Sequence, residues 1–463
     1  MKKLNLFFIL PFVFSFLHFG MYQNSFSQVS QELIKKLNEK VEVKMIFSDN
    51  IPNPYNSLKT DVIKILNEYE KLADGKIIVE KNEGKSDDYF EVESEKYGIQ
   101  PVQIQTIDDD KLAVRKAFMG LAFSYPGKKN IIPVISSTDN LEYNINKILY
   151  YFTLDKKKKI GFLKGHGEYD YTKWTNIINM LSDNYDLVSV DISNFNPVPQ
   201  DIDVLMIIAP KKSLPETHKF IIDQFIMRGG NVAWLINKIV PDFQQQIIVG
   251  DILNIHLDDL LANYGIVINP DLIKDIQCSQ VQIQSQDGIP IALNYPYFPN
   301  ITNIDKENPV FNSIQSVVLQ FVSSINIDAA QNKGITAKPL LITSDKSGKT
   351  EGFFILNLEQ FQNLTKRASD TLFSHNGFVV GATCTGKFTS FYAGKMIPMD
   401  TSRNSSSYTK ETLDASLKES KMVVIGDGDF ANEESKPPKD NLNFFCNLIE
   451  YLAIDINLYE QKK

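Results

Sequence analysis

Two short polar loops contain the residue types that could carry out chemistry. In the first loop, His166 and Glu168 lie two residues apart, each next to a glycine. A histidine beside a carboxylate can act as a general base or as a metal ligand. In the second loop, Asp427 and Asp429 are separated by one glycine, and paired carboxylates can hold a hard cation.

Structural explanations compete with these chemical ones. Glycines after a strand turn the backbone, and an aspartate at this position caps a following helix. No serine or cysteine nucleophile accompanies His166 at a recognisable turn. We therefore predict no catalytic residue, no metal site and no cofactor. If both loops end strands of one sheet, His166, Glu168, Asp427 and Asp429 are expected to share a ligand-binding or partner-binding cleft.

The segments around the two loops predict how they are positioned. Short apolar runs at 160–163 and 422–425 come directly before them, and residues 204–208 and 232–236 are also continuously apolar. Such runs are typical of parallel strands covered on both faces. Helical segments alternate with them, one opened by a predicted capping box at Ser213 and Glu216. This pattern predicts a doubly wound, flavodoxin-like or amidotransferase-like α/β domain, which binds ligands at the carboxyl ends of its strands.

An earlier part of the chain has the β-α-β-α-β-β order of a thioredoxin-like domain. Pro101 precedes the predicted third strand, residues 112–125 form the next extended segment, and a hairpin turn is predicted at Pro126 and Gly127. The loop after the first strand, residues 48–54, contains no cysteine. Thiol exchange requires an attacking thiolate, so a thioredoxin-like fold here would lack the redox chemistry.

Composition excludes further classes of function. The three cysteines, Cys278, Cys384 and Cys446, are far apart and include no C-x-x-C pair. They offer neither a complete disulfide set nor a zinc ligand cluster. The formal net charge of -8 argues against a nucleic-acid partner, because binding phosphates requires a basic surface.

The N-terminus predicts a connection to the membrane. Lys2 and Lys3 precede a nearly uninterrupted apolar run over residues 4–19. This is the pattern of a signal peptide, with Ser25 and Ser27 at the positions of a cleavage site, and it also approaches the length of a membrane-spanning anchor. We expect a cell-envelope protein, anchored in the inner membrane and facing the periplasm, or periplasmic if the leader is cleaved.

Together these patterns predict six segments. They are a signal peptide or anchor (1–27), a thioredoxin-like domain (28–137), a linking helix and basic linker (138–158), the first part of the doubly wound domain (159–249), a β-rich insertion (250–395), and the return to the α/β domain with a C-terminal helix (396–463).

Taken in order, many pieces of the sequence resemble the gliding-motility-associated ABC-transporter auxiliary components, the GldG-like proteins. The matching pieces extend through nearly the whole chain, at residues 41–44, 97–102, 165–168, 203–205, 210–214, 223–230, 260–265, 269–275, 296–299, 340–344, 386–388 and 426–430. Two features depart from the family pattern. Gly428 stands where a serine is usual, and the polar residues before Lys463 stand where many members have a second membrane helix.

The resemblance implies a non-catalytic, extracytoplasmic auxiliary subunit that works with the permease and ATPase subunits of an ABC transporter. It implies no catalytic residues, and it favours an anchor that is not cleaved. Two alternatives remain open. One is a periplasmic protein that binds a small ligand or carbohydrate, and the other is a hydrolase-like or amidotransferase-like enzyme that uses the cleft at His166.

Overall fold

The computed structural model describes residues 28–49, 51, 55–82, 84–108, 111–193, 195–244, 247–284, 289–362, 364–398, 412–456 and 458. The predicted signal peptide or anchor, residues 1–27, lies outside the described residues. Within the described ranges, no helix combines the length and the apolar character that crossing a bilayer requires.

The described residues form ten α-helices and 23 strands. The helices are α1 (Gln28–Lys36), α2 (Tyr55–Ala73), α3 (Asp87–Tyr97), α4 (Leu141–Thr153), α5 (Thr175–Leu181), α6 (Glu216–Met227), α7 (Asp258–Asn263), α8 (Asp328–Gln331), α9 (Lys366–Leu372) and α10 (Lys439–Ala453). The strands are β1 (Val41–Phe47), β2 (Ile77–Glu80), β3 (Val102–Asp108), β4 (Lys111–Ala117), β5 (Met119–Tyr125), β6 (Lys128–Ile132), β7 (Lys158–Lys164), β8 (Tyr185–Asp191), β9 (Val204–Ile208), β10 (Asn231–Leu235), β11 (Ile239–Asp242), β12 (Val249–Ile252), β13 (Val267–Ile268), β14 (Asp271–Asp275), β15 (Cys278–Gln284), β16 (Pro290–Ile301), β17 (Val317–Val318), β18 (Ile325–Asn326), β19 (Thr336–Ile342), β20 (Ser347–Glu351), β21 (Phe354–Ile355), β22 (Val379–Gly386) and β23 (Ser420–Ile425).

The N-terminal part of the molecule is built on a four-stranded sheet in the order β2-β1-β5-β6. Strand β1 runs parallel to β2 and antiparallel to β5, and β5 and β6 form a hairpin. Helix α2 connects the two parallel strands. It buries Val62, Leu66, Tyr69 and Ala73, which recur every three or four residues and therefore lie on one face.

The predicted extended segment at 112–125 is two strands in the structure. Strand β4 pairs with β3 in a separate two-stranded sheet, and β5 belongs to the four-stranded sheet. The break falls at Phe118, whose backbone N–H donates to the Ser48 hydroxyl at 3.0 Å and whose carbonyl accepts from the Ser48 N–H at 3.0 Å. Pro101 therefore precedes a hairpin outside the four-stranded sheet. The predicted turn at Gly127 is present, with a positive φ of 73°.

The larger, C-terminal part of the molecule is built on a seven-stranded sheet in the order β19-β22-β23-β10-β9-β7-β8. Strands β8, β7, β9, β10 and β23 are parallel, whereas at one edge β22 pairs antiparallel with β23, and β19 pairs antiparallel with β22. Numbered along the chain, the parallel strands have the order 2-1-3-4-5, which occurs in doubly wound sheets. All residues of β9 and β10 are buried, as expected of strands covered on both faces. The prediction of an α/β chain is confirmed.

Helix α4, predicted as part of a linker, contacts both of these parts. Tyr69 donates its hydroxyl to Asn146 at 2.9 Å on one side, and Lys147 forms an ion pair with Glu450 of α10 at 3.0 Å on the other. A single hydrophobic cluster includes residues of β1, α4, β7 and α10. The two parts therefore share a continuous core.

Candidate functional site

The first candidate loop, directly after β7, is closed against the loop after β9. The carbonyl of His166 accepts hydrogen bonds from the backbone N–H groups of Lys211, at 2.7 Å, and Lys212, at 2.8 Å. Gly167 has a φ of 85°, and a Cβ at this position would lie 3.0 Å from the Cβ of Lys211. Both the conformation and the close approach therefore require glycine here. The strand order reverses between β7 and β9, and this is where doubly wound sheets open their ligand crevice.

The side chains of His166 and Glu168 are in direct contact, as their spacing suggests. One carboxylate oxygen of Glu168 lies 3.0 Å from Nδ1 of His166, and the other accepts the backbone N–H of His166 at 2.7 Å. The Nε2 of His166 lies 2.7 Å from Nδ1 of His218 on α6. The side chains of His166 and Glu168 are 3% and 1% exposed. The three side chains form an enclosed network.

The hydrogen bonds of this network fix how many protons it holds. The Glu168 carboxylate needs a proton on His166 Nδ1, and the two rings share one proton between them. These contacts account for two protons, which is the number that two neutral imidazoles carry.

His218 is the ring that favours the neutral state. Burial lowers the pKa of His218, and the neighbouring His166 lowers it further. The sequence prediction missed this residue, since nothing near it in the chain suggests a ligand set. The predicted topology contained the relevant signal, because the helix after the third parallel strand begins beside the loop after the first.

The second candidate loop, directly after β23, holds its two aspartates in different environments. Asp427 is fully buried and accepts the backbone N–H groups of Gln320, at 2.6 Å, and Asp429, at 2.7 Å. Burial, together with the nearby Asp429 carboxylate, raises the pKa of Asp427 well above its usual range. Asn237 connects this loop to the end of β10 by donating to Asp429 at 2.9 Å and accepting the Gly428 N–H at 2.7 Å.

Tyr169 links the two loops. It follows Glu168 in the chain, and its hydroxyl donates to Asp429 at 2.7 Å. Burial and the Asp429 carboxylate raise the pKa of Tyr169, so the hydroxyl remains a donor at neutral pH. The ammonium group of Lys211 lies 4.6 Å from the centre of the Tyr169 ring. Solvent reaches Asp429, Tyr169 and Lys211 at this edge, whereas His166 and Asp427 lie beneath.

The chemistry available at this edge is therefore limited. Both ring nitrogens of His166 are engaged by Glu168 and His218, so the imidazole has no nitrogen left for a substrate in this arrangement. Over the described part of the chain, no group of three or more histidine, cysteine, aspartate or glutamate residues is arranged to hold a metal ion.

The matches to known proteins identify the family. The chain belongs to the family described as an ABC-type uncharacterized transport system, whose model matches residues 157–448. That range includes β7, β23 and both candidate loops. A second model, a domain of unknown function, matches residues 23–124. Membership in a family of transport-system auxiliary components suggests a non-enzymatic accessory role in the cell envelope.

Individual relatives add little about activity. An uncharacterized protein of Borreliella burgdorferi is 24% identical over 328 residues, which are 69% of this chain and 63% of that protein. The match thus spans less than two thirds of the relative's length. The solved mmIFT52 N-terminal domain resembles the chain with a TM-score of 0.37 and 12% identity, over 64% of this chain and 99% of that structure. This likeness is too weak to carry an argument.

Proposed function

We propose that the chain is a non-catalytic, extracytoplasmic accessory subunit of an ABC transporter of the gliding-motility type. It acts by binding a protein partner or the transported substrate, and the permease and ATPase are separate subunits. The observation that carries this proposal is the family match over residues 157–448. The closed network at His166 supports it, because a general base needs a ring nitrogen within hydrogen-bonding reach of its substrate.

The finer architecture is part of the proposal. The order β2-β1-β5-β6, with only β1 and β2 parallel, supports a thioredoxin-like first domain. The order 2-1-3-4-5 of the parallel strands supports a flavodoxin-like second domain. Ser48 lies where the loop after β1 begins, and the absence of cysteine from residues 48–54 removes the redox pair. Both domains then serve as binding scaffolds.

The location of the subunit rests on its N-terminal sequence. Two lysines followed by an apolar run at residues 4–19 support a signal anchor whose basic end stays in the cytoplasm. In this arrangement, both domains lie outside the cytoplasm and next to the inner membrane. Their partner is then a membrane-embedded subunit or a protein of the envelope.

The carboxyl edge of the parallel strands is the proposed ligand or partner cleft. His166, Glu168 and Asp427 are buried beneath it and hold the loops in place. The surface of the cleft is formed by Asp429 and by neighbours that the sequence did not single out, Tyr169 and Lys211. A lysine stacked on a tyrosine beside a carboxylate offers one cation, one anion and an aromatic ring to a partner.

Co-purification from crosslinked membranes of the native host tests the proposal. We expect the tagged chain to recover an ATPase and a multi-span permease. A Lys211→Glu variant should reduce this recovery. Lys156→Glu, at an exposed lysine on the other side of the domain, is the matched control and should leave recovery unchanged. Recovery of the chain from the cytosol, without transporter subunits, would refute the proposed role.

A further inference from the structure

A small antiparallel sheet exposes apolar side chains where a solvated sheet would expose polar ones. Strands β11, β12 and β21 form this three-stranded sheet. One face buries Ile239 and Phe354 against the aromatic side chains of Tyr295, Tyr297 and Phe321. Half-solvated antiparallel sheets usually alternate apolar residues inside with polar residues outside. In this sheet, apolar side chains also stand on the outside, where polar ones are expected.

The strand register defines which residues share the outer face. Val240 pairs with Asp251, Asp242 pairs with Val249, and Val249 also pairs with Ile355. Directly paired residues lie on the same face, and these five residues form what we call the outer face.

Further apolar side chains continue the outer face. Phe353, two residues before Ile355, is 71% exposed, and Ile247, two residues before Val249, is 57% exposed. Monomeric proteins rarely leave such clusters in water, and a cluster of this kind usually marks an interaction surface.

The charges of the outer face select among occupants. The only charged residues in the three strands are Asp242 and Asp251, and both lie on this face. An anionic lipid surface would repel these two aspartates, and it would also repel the chain as a whole, whose formal net charge is -8. A second copy packed about a two-fold axis would bring acidic groups against acidic groups. A protein surface with apolar side chains and basic groups complements both properties.

We propose that the outer face is the docking surface for another protein subunit of the transport system, which contributes an apolar segment containing lysine or arginine. This inference rests on the proposed function for the identity of the assembly. The outer face is formed by other residues than the cleft at the carboxyl edge, because β11, β12 and β21 are not strands of the seven-stranded sheet. The aromatic and aliphatic side chains supply the buried contact area, and Asp251 sets the charge preference.

The test is site-specific photo-crosslinking of the full chain in membranes of its native host. A benzophenone side chain replaces Phe353 or Val240, and the same substitution at Val92 on α3, which is 55% exposed, is the control. We expect positions 353 and 240 to crosslink to one segment of a transporter subunit that contains apolar residues and lysine or arginine. Position 92 should not crosslink to that segment.

Charge reversal adds a second readout. In an Asp251→Lys background, the crosslink from position 353 should fall at least about tenfold, which corresponds to about 1.4 kcal/mol of binding free energy. Asp183→Lys, which makes the same charge change on another surface, should leave it intact. Unfolding midpoints of the variants should match that of the parent chain, because the altered side chains are exposed.

Four results would overturn the inference. These are crosslinks to a second copy of the chain, crosslinks to lipid alone, no crosslink at either position, and crosslinks that Asp251→Lys leaves unchanged. Any of them, obtained with normal recovery of the ATPase and permease, would refute the proposed docking surface but not the proposed accessory role. Loss of that recovery would instead refute the accessory role.

Discussion

Replacing Glu168 by alanine or by glutamine should give very different stabilities, although both changes remove the charge. In the alanine variant, the backbone N–H of His166 loses its acceptor, and so does Nδ1 of the ring. A buried unsatisfied group costs about 1–3 kcal/mol, and the alanine variant leaves two such groups. We expect Glu168→Ala to lower the free energy of unfolding by about 3–5 kcal/mol.

Glutamine can instead satisfy the whole network without a charge. Its carbonyl oxygen accepts the His166 N–H, and its amide donates to a deprotonated Nδ1. His166 then donates through Nε2 to Nδ1 of His218, so no nitrogen in these contacts loses its partner. We therefore expect Glu168→Gln to cost no more than about 1 kcal/mol.

Urea unfolding at pH 7.5 measures the difference. The parent chain, Glu168→Ala and Glu168→Gln are compared by their midpoints and slopes, and equal slopes allow the midpoints to be converted to free energies. The expected gap between the two variants is at least about 2 kcal/mol. If both variants lose the same stability, the reasoning is wrong, because the charge on Glu168 would then matter more than the satisfaction of its hydrogen-bond partners.

Three further predictions use the same unfolding assay. Burial lowers the pKa of His218, so the unfolded chain binds more protons than the folded one below the unfolded pKa of about 6.5, and stability should fall as the pH drops from 7 to 5. The stability of His218→Gln should fall less over this interval. Parallel curves of stability against pH for the parent chain and the variant would contradict the assignment of this pH dependence to His218. Gly428→Ser, the residue usual in the resembling family, should cost about 1–3 kcal/mol, because its Cβ would lie 2.7 Å from the Leu235 carbonyl oxygen. Asp223→Asn should cost about 3 kcal/mol, since the buried carboxylate accepts hydrogen bonds from Tyr264 and three other donors and an amide would oppose some of them. If neither Gly428→Ser nor Asp223→Asn lowers the free energy of unfolding, the prediction is wrong and the surrounding structure accommodates the new side chains without cost.

Sequence patterns predicted the parallel strands well because those strands are uniformly apolar. The runs at 160–163, 204–208 and 422–425 fall within parallel strands of the seven-stranded sheet, and the run at 232–236 extends one residue beyond β10. Burial on both faces imposes one composition along the strand, and that composition is visible without any knowledge of neighbours. The placement of the two candidate loops at the carboxyl ends of β7 and β23 followed from these strands.

Boundaries set by distant partners were not predictable from local pattern. Residues 112–125 have one extended pattern but belong to two sheets, and the division at Phe118 depends on hydrogen bonds with Ser48, 70 residues away. The predicted capping box also failed. Helix α6 begins at Glu216 with Pro215 as its N-cap, and Ser213 donates its hydroxyl to the Asn254 carbonyl instead. In each case a tertiary contact replaced the local one.

The candidate site shows the same division. The contact between His166 and Glu168 follows from their spacing in one loop, and so does the contact between Asp427 and Asp429. The link between the loops runs through Tyr169, a residue that no sequence pattern singled out. Hydrogen-bond partners that come from separate strands are determined by the order of the strands in the sheet, which a single sequence specifies only weakly.

The distribution of polar and apolar groups supports binding over catalysis. Side chains that could do chemistry, such as His166 and Asp427, are buried and hydrogen-bonded to neighbouring groups, whereas side chains that usually form a core, such as Phe353 and Phe243, are exposed. A general base needs a ring nitrogen within reach of its substrate, and both nitrogens of His166 face other side chains. The two surfaces should therefore respond separately. Glu168→Ala should lower stability while partner crosslinking at the outer face persists in the folded fraction, and Asp251→Lys should reduce crosslinking while stability is retained.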